Sequence, residues 1–223
     1  MENVRRLCLM DLPLFSGVEP ETFDAVCRVA ATRKYYRRGE VLFNQGDANS
    51  TVFLIKDGSF KLVKMTEDGK DAILFVAAKG EVLGEAALFR DSFHPATAIA
   101  LEDSRVCAIS RRNMERAVRD DQDLALQIIR GLGARLYDTW EQLAELSAGD
   151  TRDRVLSLLL RLAAEHGIPC PEGTRIGLRL TQQDMADFIG ASRVMVARVL
   201  RDLISGNRLL RQGQYYVLRD RCF

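Results

Sequence analysis

The sequence predicts an α+β chain in three parts: an N-terminal antiparallel β-roll of jelly-roll type, a long amphipathic helix, and a C-terminal winged helix-turn-helix. Three observations carry this prediction. Residues 33–109 alternate short β-branched and aromatic runs with glycine-bearing turns. Residues 129–146 place apolar side chains three and four apart, the helical period. Residues 181–204 read as a capped short helix, a glycine turn and a second helix. The expected division is a β-roll domain over 1–110, a dimerisation helix over 111–148 and a winged helix-turn-helix unit over 149–223.

In the first part the clearest strands are Val52–Ile55, Ser59–Val63, Ala72–Val76 and Arg105–Ile109. Glu67-Asp68-Gly69-Lys70 joins the middle two as a hairpin turn, because Asp-Gly tolerates the positive φ of tight turns. Gly39, Gly46, Gly58, Gly80 and Gly84 punctuate the rest, a spacing that suits a small sandwich or roll.

The helical part carries Ile129, Leu132, Leu136, Thr139, Leu143 and Leu146, separated by 3, 4, 3, 4 and 3 residues. That is an a/d seam with one hydroxyl. Such a stripe serves either for packing on the chain's own β-domain or for pairing with a second copy. Its continuation well past the β-segment favours the second. Gly131 and Gly133 lower helix propensity, allowing close backbone approach or a flexible point.

Beyond Asp150, Arg154–Ala164 reads as a helix ending near Gly167 and a Pro169-Cys170-Pro171 loop. Thr181-Gln182-Gln183-Asp184 then fits the capping pattern of a helix start, with Met185, Ala186, Phe188 and Ile189 as its buried face. Gly190-Ala191-Ser192 supplies the turn. The next helix, Arg193–Ile204, directs Val196, Val199, Leu200 and Leu203 inward and leaves Arg193, Arg198 and Arg201 outside. Arg208–Arg211 and Tyr215–Leu218 close a hairpin, or wing.

Composition narrows the function classes. With 47% hydrophobic and 28% charged residues the chain can bury a core. No apolar run approaches the ~20 residues that span a bilayer, and no secretory core follows the first residues, so no membrane partner and a cytoplasmic location are expected. Cys8, Cys27, Cys107, Cys170 and Cys222 are odd in number and scattered, indicating neither a disulfide framework nor a zinc site. With only His94 and His166 there is no cluster for a metalloenzyme, so no metal ligands, no catalytic residues and no enzymatic activity are expected. The net charge of +1 hides an asymmetry: from Arg152 onward stand 12 arginines, no lysine and 7 acids. That surplus of +5 lies where a polyanion is to be bound.

A helix-turn-helix inserts its second helix into the major groove N-terminus first, bringing Ser192, Arg193 and Val194 nearest the base edges. Arg193 and Arg198 are the base-contact candidates, since a bidentate arginine–guanine pair discriminates by roughly 1–3 kcal/mol. Thr181, Gln182 and Ser192 are placed for phosphate oxygens, which fix register without reading sequence.

Leu180-Thr181-Gln182-Gln183-Asp184-Met185-Ala186-Asp187-Phe188-Ile189-Gly190-Ala191-Ser192-Arg193, Arg198-Val199-Leu200 and Gly80-Glu81-Val82-Leu83-Gly84-Glu85-Ala86-Ala87-Leu88-Phe89 resemble the Crp–Fnr superfamily of transcription regulators. The resemblance runs over almost the whole chain. It implies a cyclic-nucleotide-binding-like roll and a homodimer reading palindromic double-stranded DNA, its two major grooves about 34 Å apart. RNA polymerase and a small-molecule effector are the further partners it implies. The effector pocket it assigns comprises Gly84, Glu85, Ala96, Thr97, Thr139 and Trp140.

Departures from the family pattern shape the expected ligand. Where cAMP-binding members hold the cyclic phosphate with an arginine, this chain has Ala96 before Thr97-Ala98, and Trp140 replaces a serine that meets adenine. Loss of the charge-assisted bonds argues against cAMP. Cys8 and Cys27 do not form the N-terminal cluster of the iron–sulfur members, which argues against that cofactor. The Phe93-His94-Pro95-Ala96-Thr97-Ala98 segment is similar to Dnr-type regulators of nitrogen-oxide stress, making haem the candidate cofactor, with His94 as its imidazole. Beside Pro95, His94 also reads as a solvated loop residue. An effector-independent regulator, its β-domain serving only dimerisation, is the alternative. In the reading helix Val194 stands where members specific for a TGTGA-like half-site carry glutamate, so a thymine methyl becomes its natural partner.

Overall fold

The computed structural model describes residues 32–88, 92–147 and 149–219. The chain divides into two compact units. One is built from the roll and the helices up to Tyr137, the other from Asp138 onward with the short stretch Lys70–Ile73.

Ten strands form the roll: β1 (Thr32–Tyr36), β2 (Val41–Phe43), β3 (Ala48–Asn49), β4 (Thr51–Asp57), β5 (Ser59–Met65), β6 (Asp71–Ala78), β7 (Val82–Leu83), β8 (Ser92–Phe93), β9 (Thr97–Ala100) and β10 (Ser104–Ser110). They pair as β1-β10-β4-β7, β2-β9-β5-β6 and the short β3-β8. The alternation read from the sequence is the alternation of inward and outward side chains on these strands. Between the two larger sheets lie Phe43, Phe53, Ile55, Phe60, Leu62, Leu83 and Val106. Phe60 is completely buried; such a side chain contributes roughly 1.5–3 kcal/mol by leaving water. A second cluster, with Val52, Leu54, Cys107 and Ile109 at its centre, receives Met114, Ala117 and Leu124 from the helices that follow.

Those helices are α1 (Arg111–Asp120) and α2 (Gln122–Ser147), where one continuous helical segment was expected. Asp121 separates them. Its backbone is extended and its N–H closes α1 on the Ala117 carbonyl, while its Oδ1 accepts from Leu124 N at 2.9 Å and so caps the start of α2. Ser110 caps α1 by accepting from Asn113 N.

In the second unit, α3 (Thr151–His166) starts three residues earlier than expected. Asp150 and Asp153 form a reciprocal capping box there. Pro169 and Cys170 do not form a loop. They belong to β11 (Gly167–Cys170), which pairs with β12 (Gly173–Ile176). β11 is the edge of the sheet β11-β12-β14-β13, where a proline's missing N–H costs no ladder bond. The capped helix is α4 (Gln182–Ile189), and the following one is α5 (Arg193–Ser205). Gly190 ends α4 at φ +60°, a left-handed conformation that glycine adopts without steric penalty. β13 (Leu209–Gln212) and β14 (Tyr215–Leu218) form the wing. No helix among the described residues is long and apolar enough to cross a membrane.

Candidate DNA-reading helix and effector cavity

α4 is set by its cap. Asp184 is buried, and its carboxylate accepts from Thr181 N at 2.7 Å and from Thr181 Oγ1 at 2.6 Å, while the Thr181 hydroxyl oxygen accepts from Asp184 N. The hydroxyl expected at a phosphate therefore gives its proton to its own cap. Gln182 is half-buried and hydrogen-bonds Tyr216 of the wing, whose phenol is pushed up by burial first, against an opposing pull from Arg211 and this bond. Of the expected phosphate contacts, Ser192 is exposed, and its Oγ caps α5 by accepting from Met195 N at 3.3 Å.

α5 buries Val196, Leu200 and Leu203, while Val199 is half-buried. Arg193, Val194 and Arg198 all lie exposed on its other side, joined by Arg201. Among the described residues the arginines of α5 form no ion pair, so their guanidinium groups are open to an anion or a base edge. Behind the wing, Arg179 Nε donates to Tyr215 Oη at 2.8 Å, and Arg175 lies 4.9 Å over the same ring.

The first unit holds a cavity of about 360 Å³ between the β6–β7 turn, the Glu85 loop, α1 and the first half of α2. Arg135 on α2 lines it. The guanidinium donates to Glu85 and to the Val82 carbonyl at 3.2 Å, stands 3.6 Å from Glu81, and lies 4.2 Å over the Phe75 ring. Both members of the Arg135–Glu85 pair are about four-fifths buried. Lys79 and Arg130 add exposed positive charge at the rim, and Val52, Met114, Ile128 and Leu132 make the apolar wall.

Of the six pocket residues implied by resemblance, Glu85 lines this cavity and the others do not. Gly84 shapes the loop behind it: at φ +77°, a Cβ there would meet the Thr51 carbonyl oxygen at 2.5 Å. Ala96 is packed in the roll core at zero exposure. Thr97 Oγ1 accepts from Gln45 N at 3.0 Å. Thr139 and Trp140 are exposed on α2. Sequence reasoning missed Arg135, although an arginine one turn before Thr139 on a helix leaving the roll was the available signal.

His94 corrects the expectation of a solvated loop residue. It is 5% exposed, with its ring stacked on Phe43 at a centroid distance of 3.7 Å. Its backbone N–H donates to the Asp47 carbonyl, and its own carbonyl accepts from Gly46 N. Burial pushes the imidazole below its ordinary range against the opposing pull of Asp47. No histidine lines the cavity, and the described residues contain no group of three potential metal donors.

The seam residues of α2 divide. Ile129, Leu136 and Leu143 are 50–63% exposed, and Thr139 is exposed, whereas Leu132 is half-buried in the cavity wall. Leu146 lies on α2, but its side chain falls outside the described residues. Tyr137 and Trp140 widen the exposed apolar face.

Comparison with known proteins agrees with this architecture. Residues 33–121 match the cyclic nucleotide-binding domain, and residues 153–222 match the Crp-like helix-turn-helix domain. The chain is similar to the global nitrogen regulator of Synechocystis sp., with 31% identity over 178 residues and 78% of each chain covered. It is also similar to the CRP-like cAMP-activated global transcriptional regulator of Mycobacterium tuberculosis, 26% identical over 207 residues, covering 93% of this chain and 92% of the other. Among solved structures, the c-di-GMP responsive global regulator CLP of Xanthomonas campestris superposes with a TM-score of 0.76 at 26% identity, covering 90% of this chain and 99% of that one. The fold and these matches together define a winged helix-turn-helix transcription regulator with a cyclic-nucleotide-binding-type roll. The chain belongs to the Crp family of DNA-binding transcription regulators.

Proposed function

We propose that two copies of this chain pair along α2, present their α5 helices to a palindromic operator, and answer to a small effector held in the Arg135–Glu85 cavity. One observation carries this reading: α2 supplies both the cavity wall, through Ile128, Leu132 and Arg135, and the exposed apolar stripe, through Ile129, Leu136 and Leu143. An effector seated there bears directly on the surface that pairs. It acts only through different affinities for the DNA-competent and incompetent states of the dimer.

The cavity suits an organic anion with an apolar body, its charge facing Lys79 and Arg130 and its apolar part facing Met114 and Ile128. An effector other than a cyclic nucleotide is assigned because Ala96, where the phosphate-binding arginine would stand, is sealed in the core. Haem is a separate candidate, with His94 as its imidazole in the roll; neither His94 nor His166 lines this cavity. The effector-independent alternative draws on the roll interior, where Phe43, Phe53 and Phe60 fill the space around Ala96 and Ala98.

Selection of duplexes from a random library by the full-length protein, followed by anisotropy titration, tests the first part. An inverted repeat with half-sites about 34 Å apart, bound by one dimer, is expected; direct repeats or single half-sites would contradict it. Thermal melting against organic anions, with a parallel haem titration read at the Soret band, tests the second. A saturable rise in melting temperature that vanishes in Arg130→Ala supports the cavity. A stoichiometric Soret band supports haem instead, and operator affinity unmoved by any of them supports the alternative.

A further inference from the structure

Val194 is the most exposed large hydrophobic side chain among the described residues, at 78%, and its neighbour Met195 is 49% exposed. Both stand in the first turn of a helix whose start is pinned by the Ser192 cap. A globular chain places its large apolar side chains in water without consequence only singly. Two adjacent ones here lie between the exposed Arg193 and Arg198, which charge this surface for a polyanion. The partner that fits both properties is the DNA major groove. The apolar group that base edges present there is the C5-methyl of thymine.

We infer that Val194 and Met195 together form a reader of pyrimidine C5-methyl groups, and that Met195 is a specificity-determining residue beside the arginines. Val194 and Arg198 lie four residues apart on one face, about 6 Å along the axis. Base pairs stack at about 3.4 Å, so the two side chains meet pairs one or two steps apart. The half-site therefore contains a guanine for an arginine with one or two thymines close beside it. The apolar side chains sense the methyl and not the exocyclic oxygen or amine, so 5-methylcytosine is expected to substitute for thymine better than cytosine does.

This inference rests on α5 being the groove helix, and the experiment separates the two. The full-length protein is titrated with its library-selected duplex, then with duplexes in which each thymine in turn is replaced by deoxyuridine, which removes only the methyl. Burial of one methyl contributes about fourfold in affinity. A loss of that size is expected at one or two positions per half-site, shrinking below about twofold in Val194→Ala or Met195→Ala, whose exposed sites leave the fold intact. A deoxyuridine scan that changes nothing, or one whose sensitivity persists in both variants, overturns the inference while leaving sequence-specific binding in place. Enrichment of no sequence at all overturns the groove-helix reading and the inference with it.

Discussion

Arg135 holds four neighbours at once, and Glu85 is the one that matches its charge at closest range. The two are mostly buried, so removing one leaves the other short of a partner where water reaches poorly. Arg135→Ala is expected to lower unfolding free energy by about 1.5–3 kcal/mol, the range for hydrogen bonds to charged groups. Urea denaturation checks this, and an unchanged midpoint would mean that the pair contributes nothing net. His94 acts on stability through pH. Burial lowers its folded pKa, as it does for His166, so the folded chain refuses protons that the unfolded chain accepts below the ordinary value of 6.5. Above that pH both states are neutral at these rings and the effect is absent. Stability should fall as pH drops from 6.5 towards the folded pKa values, and by less in His94→Phe, which keeps a ring for Phe43 to stack on. Urea midpoints measured across that range decide it.

At the scale of elements, capping decides where the reading helix stands. Asp184 satisfies the exposed N-terminus of α4 and ties down Thr181. Asp184→Ala is expected to destabilise the second unit by about 1–2 kcal/mol, the upper part of the cap range because the residue is buried. Because α4 packs beside α5, the same change should weaken operator binding, measured by anisotropy at a temperature where the variant is folded. Normal affinity together with lowered stability would separate the cap from the placement of α5. The analogous feature at Asp121 ends one helix and begins another. Its signal was present in the sequence as an aspartate three residues before Leu124, yet it was overshadowed by the apolar period running through 129–146.

For the whole molecule, the exposed stripe of α2 and the exposed arginines of α5 are the two surfaces proposed to meet a second copy and a duplex. Leu136→Glu with Leu143→Glu places charges on the stripe without touching a buried residue. Sedimentation velocity is expected to find a monomer, with palindrome affinity falling towards that of a single half-site. A variant that still sediments as a dimer would move the interface away from α2. Arg193→Ala should leave the dimer intact and reduce specific binding by roughly 1–3 kcal/mol. Equal loss on random DNA would mark a phosphate contact instead.

The elements whose causes are local were legible in the amino-acid order. Thr181 and Asp184 are three residues apart, the Asp68-Gly69 turn is contiguous, and the α5 face repeats every turn; propensity and hydrogen bonding between near neighbours suffice for these. The wing and four of the roll's strands, β4, β5, β6 and β10, followed from the same short-range signals, while the shorter ones, β1, β2, β3, β7, β8 and β9, were not named. Pro169 was misread because its acceptability in a strand depends on β11 being an edge, a property of the sheet and not of the tripeptide. The cavity was legible only at Glu85. Arg135 stands 50 residues further along the chain, and nothing in either segment specifies that α2 carries the one over the other. The class of protein and the helix-turn-helix pattern lie in the local order of residues, because those rest on contacts within a few positions. Only the tertiary structure decided which side chains line the cavity, that Ala96 is sealed in the core and that His94 is buried, because burial is set by what packs against a residue from far along the chain.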